Sequence, residues 1–230
     1  MVDRQGGLVI EGSVPAVVTP FDENGSLMLD RFEQVVAWHL EQGADGICLA
    51  GDNGEAWSLT AEERRSLAEA AVRIVAGRVP VLMGASAPMA RQTIAHAEIA
   101  ANAGVDALMT GPQSYVLRAT TAEIVNRFAA VHKAVPLPIV AYNSPRRTGL
   151  TLDVETLGAV CDAVEVIGLK EASRDFFHTT NIIRVHGRRL SVLIGPCPYI
   201  FPGLALGARG FISSGPELFG AQAARIRDMA

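Results

Sequence analysis

The sequence predicts an α/β chain folded as a (β/α)8 TIM barrel, and three observations predict it. Eight short runs recur along the 230 residues, each near-continuously apolar rather than alternating, the pattern of parallel strands covered on both faces. Segments with helix start and stop signals lie between them. Eight strand–helix units in a chain of this length fit a barrel, whose usual size is about 250 residues. A doubly wound parallel sheet is the structural alternative. No linker or composition break divides the chain, and the unit length varies too much for a solenoid, so residues 1–230 read as one domain.

The elements follow in order. The first strand is expected over Val14–Phe21 and the second over Gly46–Gly51, after a helix that Gly43 closes. Thr60-Ala-Glu-Glu63 forms a capping-box pattern ahead of Leu67, Ala70, Ala71 and Ile74, which starts a helix that stops near Gly77. The third strand reads as Val79–Ala85; a further helix ends at Gly104, and the fourth strand is Ala107–Pro112. Thr120-Thr-Ala-Glu123 repeats the capping signal before Ile124, Phe128 and Val131. The remaining strands are expected over Pro138–Tyr142, Val166–Lys170, Leu190–Gly195 and Gly210–Ser214. A last helix, Leu218 to Met229, meets no Gly or Pro stop, so the sequence reads as truncated there.

A composition of 49% hydrophobic residues and a mean hydropathy of +0.25 allow a large core. The net charge of −4 and a pI near 5.7 give no general pull toward nucleic acid or an anionic membrane, with basic residues scattered except at Arg146-Arg147 and Arg188-Arg189. A small molecule is the expected partner. Cys48, Cys161 and Cys197 are odd in number and lack metal-ligand or framework spacing, so they read as small core residues. The N-terminus, Met1 to Gly7, carries no apolar signal region, and no run approaches the ~20 residues of a membrane-spanning helix. A cytoplasmic protein is expected.

In a barrel of this type the active site lies at the C-terminal ends of the strands. Four ends are chemically loaded: Gly51-Asp-Asn-Gly-Glu55, Tyr142-Asn-Ser-Pro145, Gly168-Leu-Lys170 and Gly210-Phe-Ile-Ser213. Lys170 is one of two lysines against eighteen arginines, and it ends an apolar run. Two readings are open for it: a rim lysine with its head in water, or an amine whose pKa desolvation lowers until it can attack a carbonyl. Tyr142 reads as an aromatic packing residue or a proton carrier. The Gly51–Glu55 loop is a tight turn, an anion cradle built on backbone N–H groups that glycine leaves accessible, or both. Arg147 is a solvated loop residue or a guanidinium fork for a carboxylate. His39, His96, His132, His178 and His186 fall mostly in helical patterns and read as surface or packing residues. No His/Asp/Glu cluster suggests a metal, and no phosphate or dinucleotide loop appears.

Taken together, Val14-Pro-Ala-Val-Val-Thr-Pro-Phe21, the Gly-x-x-Gly-Glu loop, Leu59 with Glu62-Glu-Arg64, the Tyr-Asn-x-Pro turn and Gly-x-Lys-Glu stand in one order. This set resembles the dihydrodipicolinate synthase / N-acetylneuraminate lyase family of class I aldolases, over nearly the whole chain. The resemblance implies that Lys170 condenses with the keto carbon of pyruvate or a similar 2-oxo acid, with Tyr142 shuttling protons. It further implies that Asn53 and Gly54 hold the substrate carboxylate, Arg147 binds the carboxylate of a second substrate, and the Ile212 carbonyl faces the bound oxo acid. No cofactor is required, because the lysine is the electron sink. Family members usually continue into a C-terminal helical region, before which this chain stops, and assemble as homo-oligomers, dimers or tetramers.

Three departures stand out. Family members usually carry hydroxyl residues where this chain has Asp52 and Asn53. An ionised Asp52 would repel a bound carboxylate, so it is expected to hydrogen-bond Tyr142 in place of the relay hydroxyl. After the fourth strand the chain reads Pro112-Gln-Ser-Tyr-Val116, which leaves Tyr115 out of register with the family's relay tyrosine. After the seventh, Pro196-Cys197 replaces the usual acidic residues. The sequence therefore predicts a Schiff-base-forming lyase, an aldolase or dehydratase, acting on pyruvate or a sugar-derived 2-oxo acid. Dihydrodipicolinate synthase itself and a catalytically weak 2-oxo acid binding protein are the alternatives.

Overall fold

The computed structural model describes residues 7–229, so Met1 to Gly6 of the N-terminal segment lie outside the described residues. Strands and helices alternate: β1 (Gly12–Pro15), α1 (Leu29–Glu41), β2 (Ile47–Leu49), α2 (Ala61–Val75), β3 (Val81–Gly84), α3 (Ala90–Ala103), β4 (Ala107–Thr110) and α4 (Thr121–Ala134). There follow β5 (Ile139–Asn143), α5 (Pro145–Thr148), α6 (Val154–Ala163), β6 (Val166–Glu171), α7 (Phe176–His186) and β7 (Ser191–Ile194). A 3₁₀ turn (Cys197–Tyr199), α8 (Ile200–Ala205), β8 (Gly210–Ser213), α9 (Gly215–Phe219) and α10 (Ala221–Arg227) complete the chain.

The eight strands are all parallel and pair in the order β1-β8-β7-β6-β5-β4-β3-β2. The two ends of that order meet: Ala16 bridges Cys48, and the Val17 N–H donates to the Cys48 carbonyl at 2.9 Å. The result is the predicted TIM barrel rather than a doubly wound sheet. Side chains alternate across each strand, so Val14, Cys48, Leu82, Val140, Leu193 and Ile212 fill the barrel interior. The other strand faces pack against the helices through Leu49, Val81 and Leu108 with Leu67 and Ala71 on one side, and Ala141, Leu169 and Val192 with Phe128, Leu157 and Ile182 on another.

Local chemistry sets the helix ends. Thr60 and Thr120 each accept from the backbone of Glu63 and Glu123, whose carboxylates accept in return from the threonine N–H groups, so both expected capping boxes form. The second to eighth strands begin and end within two residues of the sequence expectation, and two other elements depart further. β1 begins two residues early and ends at Pro15; beyond Ala16 the chain leaves the barrel wall, and the Thr19 hydroxyl donates to the Gly54 carbonyl at 2.8 Å. The expected single helix from Leu218 to Met229 is two helices. Gly220 breaks it with φ 48° and ψ −125°, where it packs against Trp38 of α1 and Gln42 just beyond that helix.

Candidate active site

Lys170 and Tyr142 are register partners near the C-terminal ends of β6 and β5, both with side chains on the inner face. The Lys170 amine lies 4.8 Å from the centre of the Tyr142 ring, and the residue is only 6% exposed. No described carboxylate or hydrogen-bond acceptor meets the amine. Burial holds its pKa below the ordinary lysine value, against the opposing pull of the Asp52 charge. Below it, burial raises the Cys48 thiol to about 11, which keeps that neighbour neutral.

The loop after β2 supplies the facing groups. Ala50 (φ 48°) and Glu55 (φ 51°) take left-handed conformations at its two ends, and the Ala56 N–H closes it onto the Gly51 carbonyl at 3.1 Å. No described carbonyl accepts the N–H of Asn53 or Gly54. Gly54 is fixed by close approach, because a Cβ there would sit 2.8 Å from the Val17 carbonyl. The loop brings Asp52 to Tyr142: the phenol donates to Asp52 Oδ2 at 2.9 Å, the hydrogen bond expected from the sequence. Burial, then the Asp52 charge, raise the Tyr142 pKa above the ordinary phenol value.

Arg147 reaches the same oxygen. Its Nε donates to Asp52 Oδ2 at 3.0 Å, from the short helix α5 that Pro145 starts. One carboxylate oxygen therefore bridges a phenol and a guanidinium. A cavity of about 400 Å³ opens above these groups, lined by Asp52, Asn53, Tyr142, Arg147, Lys170 and Ile212 among others. Of the seven residues predicted for the site, six line this cavity. Gly54 does not; it is buried behind the loop with its carbonyl accepting from Thr19.

Three features lay outside the sequence reading. Glu171, next to Lys170 but on the opposite strand face, is 1% exposed and accepts from Asn143 Nδ2 at 2.7 Å and the Ser173 N–H at 2.6 Å. His178 of α7 lies 3.5 Å from the same carboxylate, whose hydrogen bond and charge raise the His178 pKa against its partial burial. Asn143 also accepts from the Leu152 N–H at 3.0 Å, so this cluster ties the ends of β5 and β6 to the segment before α6 and to α7. The motif signal existed, since Glu171 and Asn143 directly follow Lys170 and Tyr142, two of the three residues predicted to be catalytic. Second, Arg64 and Arg127 are buried and donate to loop carbonyls, Arg64 to Gly84 and Ala56, Arg127 to Ala87, Pro88 and Gly111. Third, Cys197 is not a core residue as Cys48 and Cys161 are. The 3₁₀ turn after β7 leaves it exposed in the cavity wall, with Sγ 3.0 Å from the Ser213 hydroxyl. Tyr115, with φ 64° and 96% exposed, stands away from the cavity.

Over residues 9–230 the sequence matches the Dihydrodipicolinate synthetase family. The chain belongs to that family. It is 38% identical over 205 residues to the 4-hydroxy-tetrahydrodipicolinate synthase of Nitratidesulfovibrio vulgaris, covering 88% of this chain and 69% of that protein. Its fold is similar to the Acinetobacter baumannii dihydrodipicolinate synthase solved with pyruvate, with a TM-score of 0.91, 28% identity and coverage of 96% of this chain and 76% of that one. It also shares the fold of a Clostridium difficile protein solved with mannosamine, at a TM-score of 0.90 and 20% identity, covering 96% of this chain and 76% of that one. The protein is thus an enzyme of the class I aldolase type. Among the described residues no helix is long and apolar enough to cross a membrane, and no cluster of three or more His, Cys, Asp or Glu gathers as metal ligands would. In this member of the dihydrodipicolinate synthetase family Asp52 and Pro196-Cys197 both line the cavity.

Proposed function

We propose that this member of the dihydrodipicolinate synthetase family is a Schiff-base-forming lyase acting on pyruvate or a sugar-derived 2-oxo acid. The observation that carries this reading is the Lys170 amine: buried, unpaired and directed at a cavity beside the Tyr142 ring. Burial favours its neutral form, whose lone pair attacks the keto carbon of the acid. The resulting carbinolamine loses water to give an iminium, and the phenol of Tyr142 is the group in reach to carry the protons of that step. The iminium then accepts the electron pair released when a bond to the neighbouring carbons breaks, or supplies it as the enamine when one forms. Hydrolysis frees Lys170. The free N–H group of Asn53, which lines the cavity, suits the substrate carboxylate. Asp52 holds the phenol and, by pairing with Arg147, spends its negative charge away from that carboxylate.

A second reading, 4-hydroxy-tetrahydrodipicolinate synthase, is favoured by the named relatives and by Arg147 at the cavity mouth. The engagement of Arg147 by Asp52 and the outward position of Tyr115 weigh against it. Assembly as a homo-oligomer is part of the same proposal. It is supported by the exposed Trp57, Tyr115 and Leu117, and light scattering reads the mass directly. The activity test is a panel: pyruvate with a series of aldehydes including aspartate semialdehyde, and 2-oxo-3-deoxy sugar acids alone, with pyruvate release or consumption as the signal. Turnover of a sugar acid that disappears in Lys170→Arg supports the lyase. Turnover restricted to the semialdehyde moves the assignment to the synthase, and saturable binding of pyruvate without any turnover moves it to a binding protein.

A further inference from the structure

Three guanidiniums line the cavity, Arg146, Arg147 and Arg174, beside the Lys170 amine that becomes cationic as the iminium, and Asp52 is the single carboxylate in the lining. In a chain whose net charge is −4, this is a local concentration of positive charge. Asp52 pairs with Arg147. A 2-oxo acid on Lys170 brings one carboxylate, which balances the iminium. Two guanidiniums, Arg146 and Arg174, are then left without a counter-charge, and neither has a hydrogen-bond or ionic partner among the described residues.

Arg174 is held at the cavity rim in a backbone conformation that suits glycine. Its φ is 65°, four residues beyond Lys170, where an L side chain is disfavoured. The chain is fixed on both sides of it: the Ser173 N–H donates to Glu171, the Tyr199 hydroxyl donates to the Arg174 carbonyl at 3.2 Å, and Asp175 caps α7 by accepting from the His178 N–H at 3.0 Å. Tyr199 is itself braced by Phe176, with ring centres 5.6 Å apart. These contacts fix the backbone at the rim, from which the exposed Arg174 side chain reaches the cavity.

Resting on the lyase reading above, we propose that Arg146 and Arg174 form a distal anion subsite, and that the substrate is a 2-oxo sugar acid carrying a terminal phosphate monoester. A phosphate monoester carries a charge of about −1.5 to −2 near neutral pH and three acceptor oxygens, which matches two guanidinium forks. The cavity of about 400 Å³ accommodates such a chain between Lys170 and the rim.

Calorimetric titration tests this with three probes: a 2-oxo-3-deoxy sugar acid, its terminal phosphate ester, and the diacid oxidised at the same carbon. The expected result is that wild-type protein binds the phosphate ester at least about tenfold more tightly than the parent acid. Arg174→Gly and Arg146→Gln should each shrink that ratio severalfold. Glycine suits the backbone at residue 174, so Arg174→Gly should melt no lower than wild type, which separates lost recognition from lost folding. A ratio near one in wild type, a ratio unchanged in both variants, or a preference for the diacid overturns the proposal. Borohydride reduction with pyruvate is run beside it. An adduct on Lys170 with no phosphate preference sinks this inference alone, whereas no adduct sinks the lyase reading and this inference with it.

Discussion

The Tyr142 phenol and the Asp52 carboxylate are joined by a 2.9 Å hydrogen bond that spans ninety residues of sequence. It connects the loop after β2 to the end of β5, and Lys170 sits on the other side of the same ring. The carboxylate acts on both groups: its negative charge raises the Tyr142 and the Lys170 pKa alike.

Asp52→Asn removes that charge while keeping an acceptor for the phenol. Both pKa values should fall, so both limbs of the pH–rate profile should move to lower pH. The acid limb reports the amine that must be neutral to attack, and the alkaline limb the phenol that must keep its proton. A profile whose limbs stay in place contradicts the coupling of Asp52 to the two groups.

Tyr142→Phe keeps the ring beside Lys170 and removes only the hydroxyl. Turnover should drop by about 10²–10⁴, the usual contribution of a positioned proton carrier. Reduction with borohydride should still label Lys170, more slowly. Loss of less than tenfold in turnover moves the proton carrier to another group.

The barrel was legible because its determinants are local. Apolar runs such as Ile139–Tyr142 and capping pairs such as Thr60 with Glu63 act over a few residues, and nothing elsewhere in the chain opposes them. The strand-end motifs likewise led to Lys170, Tyr142 and Asp52. What escaped was set by distant partners. Arg64 and Arg127 carry the residue type of a solvated helix face, yet they turn inward because loop carbonyls after β2, β3 and β4 need donors. His178 looks like any helical histidine until α7 is folded against Glu171. Gly220 reads as an ordinary residue within a helix until its φ is known.

The His178–Glu171 contact gives stability a defined pH dependence. The folded His178 pKa lies above its ordinary 6.5, so the folded state holds the proton more tightly than the unfolded chain. This stabilisation is fully present below about pH 6.5 and is lost as pH rises through the folded value. Denaturant unfolding of wild type and His178→Asn should therefore differ most in mildly acidic buffer and converge toward alkaline pH. A gap that widens as pH rises contradicts the assigned pairing.

Gly54→Ala tests the fit of the loop against the segment that follows β1. The added methyl would lie 2.8 Å from the Val17 carbonyl, closer than a Cβ tolerates. A loss of about 1–3 kcal/mol is expected for such overpacking, or a melting temperature lower by about 2–4 °C for each kcal/mol in a protein of this size. Because the displaced loop also carries Asp52, activity should fall further than stability alone explains. A variant that melts and turns over like wild type contradicts the described packing.

The central claim is that Lys170 forms the imine, and reduction in the presence of pyruvate followed by peptide mass mapping tests it most directly. The account predicts a carboxyethyl adduct on the peptide holding Lys170, none on the peptide holding Lys133, and none anywhere in Lys170→Ala. Saturating pyruvate with an unmodified Lys170, or an adduct on Lys133 instead, contradicts it.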